Sequence, residues 1–474
     1  MLAARYSRFA RCQSLFVALS AVLLASCADF RAPEYKGLDT PEKSSWSEPR
    51  AAHVSAAETI TPNWWEEFGD PYLDGLVTKA IAENFDLKIL AARIQVANAQ
   101  IAEARAGALP TVDLGAGAIF EKTTGQSTQR RYDLGTQVNW EIDIWGKIEK
   151  GVQAQTAEYR ASEADWRAGY LTLAATVSTT YFQIRQFDEQ IDQQRKSIAT
   201  NQTILTIYEA QFASGLVPQT QVLRQRAEIN LLTTDLLELQ KLRDVAENAL
   251  ATLTGVPAGE LKVPSGYLRD KVKLPVVPAG LPSQLLARRP DIVAAEYRVL
   301  SAYDLVGQAR LAQLPSVNLA ARLGTAAFSP GDLFKTFTLS FLPSINFPIF
   351  DPGIQARIKT TEAQTRVFSE DYRRVVMAAY EEVENALVNL GAHKQQQTEL
   401  LQATDRLQVV ATQIQAQLKV GIVSQLEVFE TERQLLRAQQ ALLSAHQQVL
   451  SDTVTLYKAL GGGWPTVEVR NESK

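Results

Sequence analysis

Two long stretches of the chain carry an apolar repeat of seven residues and almost no helix breakers. Residues 152–214 and 354–420 each contain a single Gly and no Pro. At ~1.5 Å per residue, each stretch as a helix would be roughly 90–100 Å long, far beyond the ~11–12 residues of an average globular helix. The repeat therefore predicts coiled-coil packing through a and d positions. In the first stretch these positions hold Val152, Tyr159, Trp166, Leu173 and Phe187, then Val177, Ile184, Ile191, Ile198, Leu205 and Phe212.

Each long stretch is followed by a short break and by a second segment free of Gly and Pro. The breaks are residues 215–218 and 421–423, and the second segments are residues 219–254 and 424–460. This pattern predicts two long helical hairpins, because Gly and Pro mark the ends of helices.

The two halves of the chain align with each other at a nearly constant offset of 205 or 206 residues, which indicates an internal two-fold sequence repeat. We assign residues 73–260 to the first repeat and 283–460 to the second, with 261–282 between them and 461–474 as a tail. The matching pairs are Pro110 with Pro315, Trp145 with Phe350, Gly215 with Gly421, and Gly255 with Gly461.

Ahead of each long helix the apolar period changes from seven residues to two. In the first repeat, one helix is expected from Pro71 to about Gly107, followed by strands at about 111–121 and 132–142. The second repeat predicts strands at about 316–325 and 336–347. Strands of about ten residues with one apolar face have the length of transmembrane β-strands, and soluble hairpins are the alternative. Four strands cannot close a barrel, so membrane-spanning strands would require several chains to share one.

The first 26 residues have the pattern of a secretory signal. Three Arg precede an apolar run, residues 15–25, that is shorter than the ~20 residues needed to span a bilayer. The run ends in Leu24-Ala25-Ser26-Cys27, which resembles the lipobox of bacterial lipoproteins and implies that Cys27 is lipidated. An ordinary secretory signal with an incidental Cys is the alternative. Residues 29–61, rich in Pro, Ser, Glu and Ala, predict an extended tether, and the Trp64-Trp65 pair after it predicts buried anchoring rather than a ligand-stacking site.

Composition narrows the range of functions. The chain has 48 Lys and Arg against 52 Asp and Glu, and removal of three Arg with the signal leaves a net charge of −7. This balance offers no basic face for nucleic acid. The mature chain would keep only one of its two Cys, and no later apolar run is long enough for a transmembrane helix.

Side chains for catalysis or metal binding are sparse. The three His residues, His53, His393 and His446, have no metal-ligand spacing to one another or to Cys, and no phosphate-binding loop or nucleophile elbow is present. We therefore expect no enzyme activity, no metal and no cofactor.

Several motifs together resemble the TolC-like outer-membrane efflux proteins, specifically their lipoprotein branch, which includes the outlet channels of tripartite resistance-nodulation-division efflux systems. The motifs are the lipobox, Trp64-Trp65 with Asp70-Pro71, Arg288-Arg289-Pro290-Asp291-Ile292, Leu314-Pro315-Ser316, and the two Gly-centred turns. The resemblance implies a mixed α and β membrane protein. Three chains, with four strands each, would form a 12-stranded outer-membrane β-barrel continued by a periplasmic α-helical coiled-coil barrel. Residues 27–72, 261–282 and 461–474 would form its equatorial domain.

The same resemblance places the two turns at the periplasmic end, where such channels narrow and the adaptor docks. The implied docking residues are Gly215, Leu216, Val217, Gly421, Ile422 and Val423.

Candidate gate residues follow the second turn. Leu426 and Glu430 share a helix face and match by position the leucine and aspartate that constrict some channels of this branch. Glu427 matches an acidic position of the family, but its counterpart Gln221 is uncharged, which does not fit a gate held by ion pairs from both turns. The alternative is that Leu426 packs in the coiled coil and Glu430 is solvated.

The expected function is passive exit, across the outer membrane of a Gram-negative bacterium, of drugs or other small toxic compounds. The expected partners are a homotrimer, a periplasmic adaptor, a proton-driven inner-membrane resistance-nodulation-division transporter and outer-membrane lipid. The outlet of a type I protein-secretion system and a lipid-anchored periplasmic scaffold are the alternatives. The lipobox favours the pump outlet, and the amphipathic strands disfavour a scaffold.

Overall fold

A computed structural model describes residues 35, 37–39, 43, 45–47, 60–125, 127–268, 272–277 and 288–463. The predicted signal 1–26, the predicted lipidation site Cys27, most of the predicted tether and the end of the tail lie outside these residues. The chain divides into two compact units of three segments each. Among the described residues, one unit comprises those within 1–40, 92–163 and 294–374, and the other comprises those within 41–91, 164–293 and 375–474.

The first unit holds an antiparallel four-stranded sheet with the order β1-β2-β3-β4. The strands are β1 (Thr111–Glu121), β2 (Gln129–Ile142), β3 (Ser316–Ala327) and β4 (Thr338–Asn346). Relative to the predicted bounds, β2 begins three residues earlier, β3 ends two residues later, and β4 is shorter at both ends. Cross-strand pairing sets these limits, since Gln129 pairs with Glu121, and Ala327 with Tyr132.

The register of the strands gives the sheet one apolar face and one largely polar face. Val138 lies opposite Val112 and Ala321, and Ala321 in turn lies opposite Phe341. On the other face, Gln137 lies opposite both Asp113 and Arg322. Side chains alternate along a strand, so this register places the apolar positions of all four strands on the same side. Large apolar side chains there are solvent-exposed, among them Leu114, Leu339, Phe341 and Ile345.

The helix predicted from Pro71 to about Gly107 is two helices, α1 (Pro71–Glu83) and α2 (Phe85–Ala106). The prediction of one helix was wrong because Asn84 has an extended backbone, with ψ 131°. Its side-chain oxygen accepts a hydrogen bond from Leu87 N at 3.0 Å, and its amide nitrogen donates to Leu253 O at 3.1 Å. Asn84 thus caps the start of α2 while it bonds the end of another helix, which an apolar stripe cannot indicate.

Two series of helices have closely matched lengths. The first hairpin consists of α3 (Lys147–Ala213) and α4 (Gln219–Leu253), with 67 and 35 residues. The second consists of α6 (Pro352–Lys419) and α7 (Gln425–Ala459), with 68 and 35 residues. Of the other described helices, α5 (Pro290–Leu311) and α2 have the same length, 22 residues. The long helices begin before the Gly that limited their prediction, because Asp143 and Asp351 accept hydrogen bonds from backbone N–H groups in their first turns.

None of the described helices is both long enough and apolar enough to cross a bilayer.

The predicted seam of α3 is covered unevenly. Val177 and Ile184 are fully buried and Ile191 nearly so, whereas Phe212, beside the turn, is 44% exposed. In this single chain, the seam is therefore packed in the middle of α3 and open near the turn.

Trp64 and Trp65 lie in the core of the second unit, which confirms their predicted burial. A short 3-10 helix, Trp64–Phe68, leads into α1. Trp64 is fully buried and stacks on Tyr457 of α7 with ring centroids 5.1 Å apart, and Phe68 packs on Phe182 of α3 at 5.2 Å. Three segments distant in sequence therefore meet around one aromatic cluster.

Candidate functional site

The two hairpin turns have the same backbone geometry. Gly215 and Gly421 have positive φ angles of 69° and 74°. The next residue in each turn donates its N–H to a carbonyl five residues back, with Leu216 N to Gln211 O at 2.9 Å and Ile422 N to Gln417 O at 3.0 Å. This is the Schellman end of a helix, and it requires a left-handed residue that glycine adopts without strain. The predicted breaks are therefore the observed turns.

Both turns present apolar side chains to solvent. Leu216 is 75% exposed and Ile422 is 72% exposed, whereas Val217 and Val423 are half-buried. Burying such side chains is favourable, so the turns are suited to a contact that this single chain does not make.

Leu426 and Glu430 both line a cleft of about 370 Å³ between the two hairpins. Leu426 is 61% exposed, so it does not pack into the coiled coil of this single chain. Glu427 lies outside the cleft and is exposed, and the residue after it, Val428, is buried. The structure therefore brings together two of the three predicted gate residues. The other lining residues are Tyr208, Gln221, Arg224, Ala227, Glu228, Leu231, Ser424, Gln425, Phe429 and Arg433.

Glu430 forms an ion pair with Arg433. Arg433 Nη2 lies 2.9 Å from Oε1 and 2.7 Å from Oε2 of Glu430. Sequence reasoning missed this partner, although a spacing of three residues on a helix was the available signal. The pair partly neutralises the carboxylate predicted to act at the constriction.

Arg224 is a second cation of the cleft that sequence reasoning missed. Arg224 of α4 occupies the position equivalent to Glu430 of α7 at the repeat offset of 206 residues. The repeat offset was the available signal: Gln221 and Glu427 are equivalent at this offset, and Arg224 and Glu430 lie three residues further along the same two helices. Arg224 of the first hairpin and Glu430 of the second thus place opposite charges in one cleft, which Glu228 and Arg433 also line. Burial raises the pKa of Tyr208 in the same cleft to about 12, so its hydroxyl stays protonated.

The two His residues that the structure describes belong to contacts between α6 and α7. His393 Nδ1 lies 2.5 Å from Asp452 Oδ2, and His446 Nδ1 lies 2.7 Å from Gln397 Nε2. In the described ranges, no three His, Cys, Asp or Glu side chains are grouped so that they could hold a metal ion. The absence of a cofactor stays a prediction.

The profile of the outer membrane efflux protein family matches residues 76–256 and again residues 281–462. The pyoverdine export outer membrane protein OpmQ of Pseudomonas putida is 30% identical over 446 residues, covering 91% of this chain and 94% of OpmQ. The probable outer membrane lipoprotein SilC of Salmonella typhimurium is 27% identical, covering 93% of this chain and 97% of SilC.

A solved structure agrees with the fold. The open state of the Neisseria gonorrhoeae MtrE outer membrane channel superposes with a TM-score of 0.82 at 27% identity, covering 91% of this chain and 98% of MtrE. The amphipathic sheet, the two long hairpins and these similarities define an outer-membrane efflux channel. The chain belongs to the outer membrane efflux protein family.

Proposed function

We propose that three copies of this chain form a 12-stranded barrel in the outer membrane, continued by a barrel of the long helices in the periplasm. The observation that carries the proposal is the sheet, which has an exposed apolar face and ends at β1 and β4. An open sheet edge is not viable in lipid, and bacterial barrels have at least eight strands. Sharing one barrel among chains joins β4 of one copy to β1 of the next. The number three rests on the resemblance to TolC-like channels.

The assembled channel serves as the passive outlet of a tripartite pump. An inner-membrane, proton-driven transporter delivers drugs or other small toxic compounds through a periplasmic adaptor, and the exposed apolar turns dock that adaptor. The two family-profile matches begin 205 residues apart, which supports the proposed internal repeat. Residues 27–72, 261–282 and 461–474 contribute the equatorial domain.

Lipidation of Cys27 anchors the protein to the outer membrane, as the name of SilC supports. We expect a Cys27→Ser protein to lose incorporation of labelled palmitate, because the thiol is the acceptor. Cys12→Ser, which changes the other Cys of the chain, is the matched control and should label normally. Persistent labelling of Cys27→Ser would contradict the lipid anchor.

Leu426 and Glu430 form the periplasmic constriction, and Glu427 adds negative charge beside it. In planar bilayers, Leu426→Ser should raise resting conductance several-fold, because an apolar ring closes a narrow pore by excluding water. Glu430→Gln should lower cation preference with little change in conductance. The difference in selectivity from the parent should shrink at higher salt, because salt shortens the Debye length, which is ~8–10 Å at ~0.1–0.15 M.

Matched variants sharpen both measurements. Ile422→Ser alters another largely exposed apolar residue, which lies outside the cleft, and should leave resting conductance unchanged. Arg433→Gln releases the Glu430 carboxylate from its ion pair and should raise cation preference, opposite to Glu430→Gln. Parental conductance in Leu426→Ser and parental selectivity in both charge variants would place the gate elsewhere.

A further inference from the structure

The two hairpins differ at one equivalent contact near their turns. In the first hairpin, Arg226 of α4 forms an ion pair with Glu209 of α3 at 2.8 Å. At the same positions of the second hairpin, 206 residues later, stand Glu432 and Gln415. There Gln415 Nε2 donates a hydrogen bond to Glu432 Oε1 at 3.0 Å. One hairpin thus holds its helices with a pair of opposite charges, and the other with a carboxyl and an amide.

Glu432 forms no ion pair among the described residues. Arg433, next to Glu432 on α7, forms its ion pair with Glu430. Lys419, one turn from Gln415 on α6, forms no ion pair with Glu432. Burial raises the pKa of the Glu432 carboxyl, and the hydrogen bond from Gln415 opposes this by a smaller amount. No charged neighbour adds a further influence.

The amide partner suits both protonation states of the carboxyl. Gln415 donates its N–H to an ionised Glu432, and its own oxygen is able to accept the O–H of a protonated one. Protonation therefore keeps a hydrogen bond and removes the penalty of burying a charge. Because the pKa of Glu432 is raised in the folded protein, this gain is present in acid and is lost as the pH rises through that raised pKa.

We propose that Glu432 is a proton-binding residue of the second hairpin, whose protonation tightens α6 against α7 beside the turn. The first hairpin has no such carboxyl–amide contact, because Arg226 stands at the position equivalent to Glu432 and forms an ion pair with Glu209. The two turns of one chain therefore differ in their response to periplasmic acid. The contact itself does not depend on the proposed gate, and its effect on conduction rests on the proposed function.

Hydrogen exchange on the full-length protein in detergent tests the proposal. Peptides covering residues 408–436 and 202–230 are compared at about pH 7.5 and about pH 5.5, a range above the ~4.3 reference of an unperturbed Glu, after correction for intrinsic exchange. In the parent, exchange in 408–436 should be several-fold slower in acid, and 202–230 should not respond. Glu432→Gln, which mimics the protonated carboxyl, should protect 408–436 at both pH values.

Two further variants complete the test. Gln415→Glu combined with Glu432→Arg transfers the contact of the first hairpin to the second and should abolish the acid response. Glu209→Gln, the matched control, should leave the response of 408–436 intact. The proposal is overturned if the parent shows no acid response there, or if Glu432→Gln keeps the parental one. Exchange does not report conduction, so a protein that responds to acid but forms no channel would refute only the proposed function.

Discussion

Ala321→Arg should block insertion and assembly in the outer membrane, whereas Ala320→Arg, one residue earlier on β3, should be tolerated. Ala321 lies on the apolar face, opposite Val138 and Phe341, and Ala320 lies on the other face, opposite Asn139. That other face already carries Arg322. The same substitution at adjacent Ala residues thus separates the effect of the face from the effects of charge and size.

The size of the effect follows from burial of charge in lipid. An Arg at the lipid midplane costs about 2–4 kcal/mol in a membrane barrel, and the proposed trimer would carry three of them. An Arg on the opposite face is solvated by the water-filled interior.

Outer-membrane fractionation followed by native mass measurement of the extracted protein checks this prediction. The parent and Ala320→Arg should give a trimer in the outer-membrane fraction, and Ala321→Arg should give little or none. Equal assembly of the two variants would contradict a lipid-facing apolar sheet, and a stable parental monomer would contradict the shared barrel.

Trp64→Ala is expected to lower the free energy of unfolding by about 3–5 kcal/mol, the usual range for removing a large aromatic side chain from a core. Trp64 is fully buried, and it packs edge-on to Trp65 and Phe68 as well as stacking on Tyr457. Its removal leaves a cavity where the segment before α1 meets the end of α7. Neighbouring rings are fixed in their own contacts, so the cavity cannot collapse fully.

Thermal unfolding in detergent, followed by near-ultraviolet circular dichroism, measures this loss. Trp145→Ala is the control with the same change of side chain, because Trp145 is 44% exposed and its main polar contact is one hydrogen bond to Pro315 O at 2.7 Å. Loss of that bond is worth only about 1 kcal/mol. Equal shifts in melting temperature for the two variants would contradict a structural role for the aromatic cluster.

Helices and turns were the features most open to prediction from sequence. A seven-residue apolar repeat with almost no Gly or Pro has few solutions other than a long helix. Gly215 and Gly421 end these helices because a left-handed position excludes most other residues. Alternation of apolar residues likewise placed four strands, since the side-chain period of a strand is two residues.

Features that depend on partners distant in sequence could not be predicted from the sequence. The break at Asn84 depends on the carbonyl of Leu253, and the ends of β2 and β3 depend on the strands beside them. Local pattern describes a residue and its near neighbours, whereas these contacts join segments far apart in the chain.

For the candidate gate, too, some features were predictable from the sequence and others were not. The sequence by itself determined the turns, the shared helix face of Leu426 and Glu430, and the amphipathic strands, because each follows from a local period. Tertiary structure alone decided that both residues line the same cleft as Arg224, and that the strands align their apolar faces. Cleft and register arise from packing between segments, and packing depends on shape and hydrogen bonding across elements that no period along one segment records.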